Sequence, residues 1–284
     1  MLHSTLSPDA IDRLPTPKGV ALALTRACRR DDMQLDEIAN LVSSDPALSG
    51  RLLALANAAS WGGRSLASAD EAVKRMGLAK VSQLALAFSL IDQHAAGACS
   101  NFDYAGFWNR SLLMAAACRE LGAGRQLGSP DELFSVGLLA QIGQLALATA
   151  FPKELSALMA LDITRDELLR REKALTGTDH LQLSVALMEH WGIAIDYARP
   201  FGMYEELADP NPFSTSGQMA DRARLAHGAW RLARALSTAD VDAALTDPDC
   251  QAALEWLELD TGMLNEHLQA IESNWRVWLQ LIAL

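Results

Sequence analysis

Ser129-Pro130-Asp131-Glu132-Leu133-Phe134-Ser135-Val136-Gly137-Leu138-Leu139-Ala140-Gln141-Ile142-Gly143-Gln144-Leu145-Ala146-Leu147-Ala148-Thr149-Ala150-Phe151 is the stretch on which the fold turns. It opens with helix-start grammar: a serine whose hydroxyl can cap the third amide on, proline at the first helical position, and a glutamate that can reach back. From Leu133 to Phe151 it carries no charge and nearly matches a bilayer in length. Ser135, Gln141, Gln144, Thr149 and two glycines interrupt that run, and a membrane span disfavours such polar groups. The stretch reads as a helix buried in a protein core.

The same grammar recurs outward from it. Ser68-Ala69-Asp70-Glu71 and Thr164-Arg165-Asp166-Glu167 repeat the capping spacing, and Asp45-Pro46 opens another helix. There are 47 Leu but only 17 Val plus Ile, and leucine keeps its rotamer freedom in helices where β-branched residues lose theirs. No stretch alternates apolar and polar residues as a half-buried strand would. The prediction is an all-α protein, a compact multi-helix bundle with a C-terminal helical extension. Helices are expected near 8–13, 17–30, 34–44, 46–59, 69–76, 79–95, 103–122, 130–150, 153–161, 165–175, 179–191 and 194–207. A further set is expected at 216–237, 240–246, 249–259 and 262–283.

Composition narrows the function classes. The 284 residues hold 24 Lys+Arg against 35 Asp+Glu, a formal net charge of −11. That balance argues against a broad nucleic-acid face and against docking on an anionic membrane. Cys28, Cys99, Cys118 and Cys250 are widely separated, which suits reduced thiols. The N-terminus shows no basic stretch followed by an apolar run, so a cytoplasmic protein is expected. The segment 209–217, with two prolines, reads as a linker between a helical domain over 1–205 and a C-terminal extension over 216–284. Charge steps there too: 19 basic and 22 acidic residues precede Glu205, and 5 basic and 13 acidic follow from it. In the extension Ile271, Trp275, Trp278, Leu279 and Ile282 share one helical face, expected to pack on the rest of the protein.

Catalytic motifs are missing. There is no G-x-S-x-G, no glycine-rich phosphate loop and no H-E-x-x-H. The six histidines never fall three or four apart, so no helix face offers two imidazoles to one metal. Asp36-Glu37 sits at a helix start, where acids complement the dipole. Arg222, Arg224, Arg231 and Arg234 cluster on the 216–237 helix without interleaved aromatics beyond Trp230, so intramolecular pairing is expected there.

Five stretches in order carry a family resemblance. They are Leu14-Pro15-Thr16-Pro17; Ser44-Asp45-Pro46-Ala47-Leu48 with Leu53-Ala54-Leu55-Ala56-Asn57; Ala72-Val73 followed by Met76-Gly77; Phe107-Trp108-Asn109-Arg110-Ser111-Leu112; and Gly137-Leu138-Leu139-Ala140-Gln141-Ile142-Gly143. Together, over residues 8 to about 205, they resemble the HDOD family, the HD-related output domains of bacterial signalling proteins. That resemblance implies an all-α fold related to HD-domain phosphohydrolases, which hold a metal with histidines and aspartates. In those relatives the last stretch would read G-L-L-H-D-I-G. Here the pair is Ala140 and Gln141, and neither alanine nor a neutral amide replaces an imidazole and a carboxylate. The upstream helix has Arg110 where the relatives place histidine, and Thr178-Asp179-His180 keeps one histidine.

The resemblance therefore implies a non-catalytic regulatory protein with no metal and no cofactor, working through contact with signalling proteins. Arg110, Ala140, Gln141 and His180 mark the vestigial site, which is expected either as a filled core or as a pocket for a small phosphorylated ligand. Two alternatives stand beside this reading: a receptor for a nucleotide second messenger, and a metal-dependent phosphohydrolase with displaced ligands. Rearrangement of 216–284 across the proline-bearing linker is the expected means of signalling.

Overall fold

Every element in the computed structural model is a helix among the described residues, which are 14–15, 18–27, 34–57, 66–204, 217–238 and 261–282. The linker over 209–217, except Gly217, and the helices predicted at 8–13, 240–246 and 249–259 lie outside them. The chain divides into two compact units, one over 16–93 and one over 94–279.

Among its described residues the first unit holds five helices: α1 (Gly19–Ala27), α2 (Leu35–Ser43), α3 (Pro46–Asn57), α4 (Ala69–Met76) and α5 (Leu78–Gln93). Helix α4 lies against α2 and α3, and α1 against α5. Local signals start these helices as the sequence predicts. Asp45 Oδ1 accepts the amides of Ala47 and Leu48, both at 3.0 Å, and the Ser68 hydroxyl accepts the Glu71 amide at 3.2 Å. The Glu71 carboxylate reaches the amide of Ala67 rather than that of the cap itself. Ile38, Val42, Leu52, Ala72 and Val73 are buried.

The second unit is built around α6 (Tyr104–Leu121), of which eleven residues are buried. A helix apolar on all sides belongs in the middle of a core. Around and after it come α7 (Pro130–Leu139), α8 (Ile142–Ala150), α9 (Pro152–Met159), α10 (Arg165–Thr176), α11 (His180–His190) and α12 (Ile195–Gly202). The last two are α13 (Gln218–Thr238) and α14 (Thr261–Ile282). Helices α7 and α13 pack along α6, α8 pairs with α11, and α12 bridges α11 to α13. The approach of α7 to α6 is close because Gly137 has no side chain: a Cβ there would lie 2.9 Å from the Cys118 sulfur. That sulfur is fully buried, and desolvation pushes its thiol well above the ordinary range.

The decisive stretch is a core element, with one difference from the sequence reading. The predicted helix over 130–150 is two helices, broken at Ala140 and Gln141. The apolar window within Pro130–Ala150 is 89% buried inside the protein. Of the C-terminal stripe, Ile271, Trp275 and Trp278 pack inward as expected. Trp278 stacks on Phe134 with centroids 4.4 Å apart, Trp275 Nε1 donates to Asn109 Oδ1 at 2.9 Å, and Ile271 is buried.

Candidate functional site

The break between α7 and α8 creates the site. Ser129 and Glu132 form the reciprocal capping box that launches α7. Ten residues later the helix stops at Ala140, and Gln141 takes up φ −91°, ψ 7°, the bridge region between helix and strand. Helix α8 then restarts against the beginning of α11. Gly143 permits this contact: a methyl group there would run into the carbonyl of His180 and lie 2.8 Å from the Ser184 amide nitrogen. Instead the Gly143 amide donates to the Ser184 hydroxyl at 2.9 Å. The junction brings Gln141 and His180 to the wall of one cavity.

That cavity has a volume of about 330 Å³ and is lined by Phe102, Arg110, Gln141, Gln144, Leu155, Met159, Arg165, Leu168, Glu172, His180, Trp230, Ala233 and Arg234. Of the residues singled out from sequence, Arg110, Gln141 and His180 meet there. Ala140 does not line it; it is fully buried beside Gln141.

His180 is held by a carboxylate. Asp179 caps α11 by accepting the Gln182 amide at 2.8 Å, which places His180 at the first helical position. There Glu172 Oε2 accepts both the His180 backbone amide at 3.0 Å and the ring Nδ1 at 2.7 Å. The two side chains are 3% and 4% exposed. Glu172 is the one buried residue of α10, an otherwise charged and half-exposed helix. This pairing fixes the ring's orientation, with Nδ1 carrying the hydrogen.

The other polar walls come from distant parts of the chain. Arg110 lies in α6, half-buried, with a terminal nitrogen 4.0 Å from Asp103 Oδ2. Arg165 starts α10 behind the Thr164 cap. Trp230 and Arg234 come from α13, the guanidinium lying over the indole 5.0 Å from its centroid. Gln144 Nε2 donates to the Tyr204 hydroxyl at 2.9 Å, and Tyr204 in turn packs against Trp230 with centroids 5.5 Å apart. Gln141, only 2% exposed, points its Nε2 at the Met114 sulfur at 3.7 Å, a weak acceptor.

Sequence reasoning missed Glu172, Arg165, Gln144, Trp230 and Arg234. Trp230 and Arg234 stand four apart on one predicted helix, so their contact had a local signal; their meeting with α10 had none. The arginine cluster of α13 does pair within the molecule, but only partly with acids. Arg224 bonds Asp221 at 2.9 Å, whereas buried Arg222 donates to the carbonyls of Leu127 and Asp196 and covers the Tyr197 ring. His190 is exposed at the end of α11.

The donor set does not suit a divalent metal. Around the cavity stand one imidazole, one carboxylate already bonded to it, neutral amides and three guanidiniums. No group of three His, Cys, Asp or Glu side chains gathers among the described residues. Metal sites of the HD type need several such ligands around one ion.

Comparison with known proteins follows the same lines. Residues 14–206 match the sequence profile of the HDOD domain. An uncharacterized protein of Treponema pallidum (strain Nichols) is 27% identical over 194 residues, 65% of this chain. The match spans 36% of that relative, so the chain covers about a third of its length. Among solved structures, the MmoQ response regulator of Methylococcus capsulatus (strain Bath) is 33% identical, with TM-score 0.56, covering 91% of this chain and 99% of that one. An HDOD domain protein of unknown function from Geobacter sulfurreducens is 19% identical with TM-score 0.66, covering 98% of this chain and 95% of that one, and shares the fold.

Proposed function

The chain belongs to the HDOD domain family, and from that premise we propose that it is a non-catalytic signalling output protein, cytoplasmic, acting through contact with other signalling proteins. The observation that carries this reading is the pair at the α7–α8 break. At the place where a hydrolase of this ancestry needs a histidine and an aspartate, Ala140 is sealed in the core and Gln141 offers a neutral amide. Arg110, Arg165 and Arg234 add fixed positive charge, which repels a divalent cation. His180 supplies the one imidazole of the cavity wall, where metal sites of this type gather several ligands.

The signalling half of the proposal draws on kinship with a response regulator over nearly the whole chain. An output protein without chemistry has to pass its state to a partner by shape. The cavity joins α6, α10 and α11 to α13, so a change at its walls is felt by helices from widely separated parts of the sequence.

Metal stoichiometry tests the non-catalytic claim. Full-length protein, purified in the presence of manganese, iron, nickel and zinc and then desalted, is expected to carry well under one ion per chain by elemental analysis. One tightly held ion per chain, lost on His180→Ala, would overturn the reading.

A further inference from the structure

The cavity has more built into it than the remains of a metal site. Among its described walls three guanidiniums stand with one carboxylate, in a chain whose net charge is −11. The carboxylate, Glu172, is turned onto His180. The three arginines come from α6, α10 and α13 and meet at the cavity wall. Arginine's planar fork matches a phosphate in bidentate fashion, and charge-assisted bonds of this kind are stronger than neutral ones. At its buried end Gln141 supplies an amide bonded to nothing stronger than a thioether sulfur. The remaining walls are apolar or aromatic, with Trp230, Phe102, Leu155 and Leu168 able to cover a flat ring.

We propose that this cavity binds one phosphorylated mononucleotide, with Arg110, Arg165 and Arg234 around the phosphate, the base against the aromatic and apolar walls, and the Gln141 amide hydrogen-bonding the ligand. The cavity's size suits a mononucleotide better than a dinucleotide. About 330 Å³ lies at the small end of ligand sites, which run from roughly 300 to 1,000 Å³. Trp230 and Arg234 lie beyond residue 206, the end of the family match, so the C-terminal segment of this chain completes the site. Occupancy then ties α13 to α6 and α10, coupling a ligand to the helix outside the family domain.

The inference rests on the non-catalytic reading only in that the nucleotide is bound and not turned over. Isothermal titration calorimetry of the full chain tests it. The probes are AMP, GMP, adenosine, inorganic phosphate and a cyclic dinucleotide, with Arg165→Ala and Arg234→Ala as variants checked for an unchanged melting curve. One mononucleotide is expected to bind one per chain, with adenosine or guanosine analogues lacking phosphate and free phosphate each weaker by about tenfold or more. Each arginine variant is expected to lose about tenfold, and Arg234→Lys, which keeps the charge but not the fork, to fall between. Absence of mononucleotide binding at about 1 mM would overturn the proposal. So would unchanged affinity in the arginine variants, equal binding of inorganic phosphate, or preference for the dinucleotide. If the nucleotide binds and is cleaved, the non-catalytic reading falls while the site stands; if nothing binds, the site falls alone.

Discussion

Gly143 shows how one absent side chain organises the candidate site. Its bare Cα lets α8 touch the first turn of α11, and any Cβ would collide with the His180 carbonyl. Gly143→Ala is therefore expected to destabilise the protein by about 1–3 kcal/mol, as overpacking does, and to lower the midpoint in a urea titration. Cys118 offers a second check. Its thiol is fully buried and held neutral by desolvation, and only the thiolate reacts. Iodoacetamide at mildly alkaline pH is expected to leave Cys118 unlabelled in native protein and to label it after denaturation, as peptide mass spectrometry would read. Fast native labelling would mean that α6 and α7 separate readily. Arg110, Gln141 and His180, which meet at the cavity, were legible in the sequence because the family pattern points to them one residue at a time; Ala140, singled out with them, does not line it. Glu172 was not legible: its neighbours Arg170, Arg171 and Lys173 mark a solvated face, and only the packing of α11 turns this one carboxylate inward.

Helix starts were legible because their causes are local. Ser129, Thr164 and Asp179 each accept an amide three residues on. Ser129→Ala removes half of a reciprocal capping box and is expected to cost about 1 kcal/mol, measured as a fall in urea midpoint. The break at Ala140 and Gln141 was not legible, because neither residue is a helix breaker. No glycine or proline marks it; the chain changes direction where α8 must meet α11. Arg222 is the corresponding surprise on α13. A cluster expected to pair with acids contains one guanidinium that is buried, bonded to Leu127 and Asp196 carbonyls and stacked 3.8 Å from the Tyr197 centroid. Arg222→Ala strips the Leu127 carbonyl of a charged donor, at a cost of about 1–3 kcal/mol. Thermal unfolding is expected to reveal it as a clear drop in Tm, and an unchanged Tm would mean that α13 is not anchored there.

At the scale of the molecule, the all-helical architecture followed from leucine content and capping grammar, whereas the division into compact units left no local signal. The boundary expected over 209–217 lies, but for Gly217, outside the described residues; the compact units divide near Gln93. The reason is tertiary: α13 and α14 belong with α6, through contacts such as Trp275 with Asn109 and His267 with Glu120, that span more than a hundred residues of sequence. Hydrogen exchange is accordingly expected to find α6 the slowest helix of its unit, with protection near the global limit. On the proposed reading, the place that holds the hydrolytic centre in HD-type enzymes is here a site without chemistry. Phosphorus-31 NMR of the full chain, incubated with manganese, mononucleotides and a cyclic dinucleotide, tests it most directly. Phosphorus signals are expected to stay constant in area over hours; time-dependent release of phosphate or opening of the cyclic ester, slowed by His180→Ala, would overturn the non-catalytic reading.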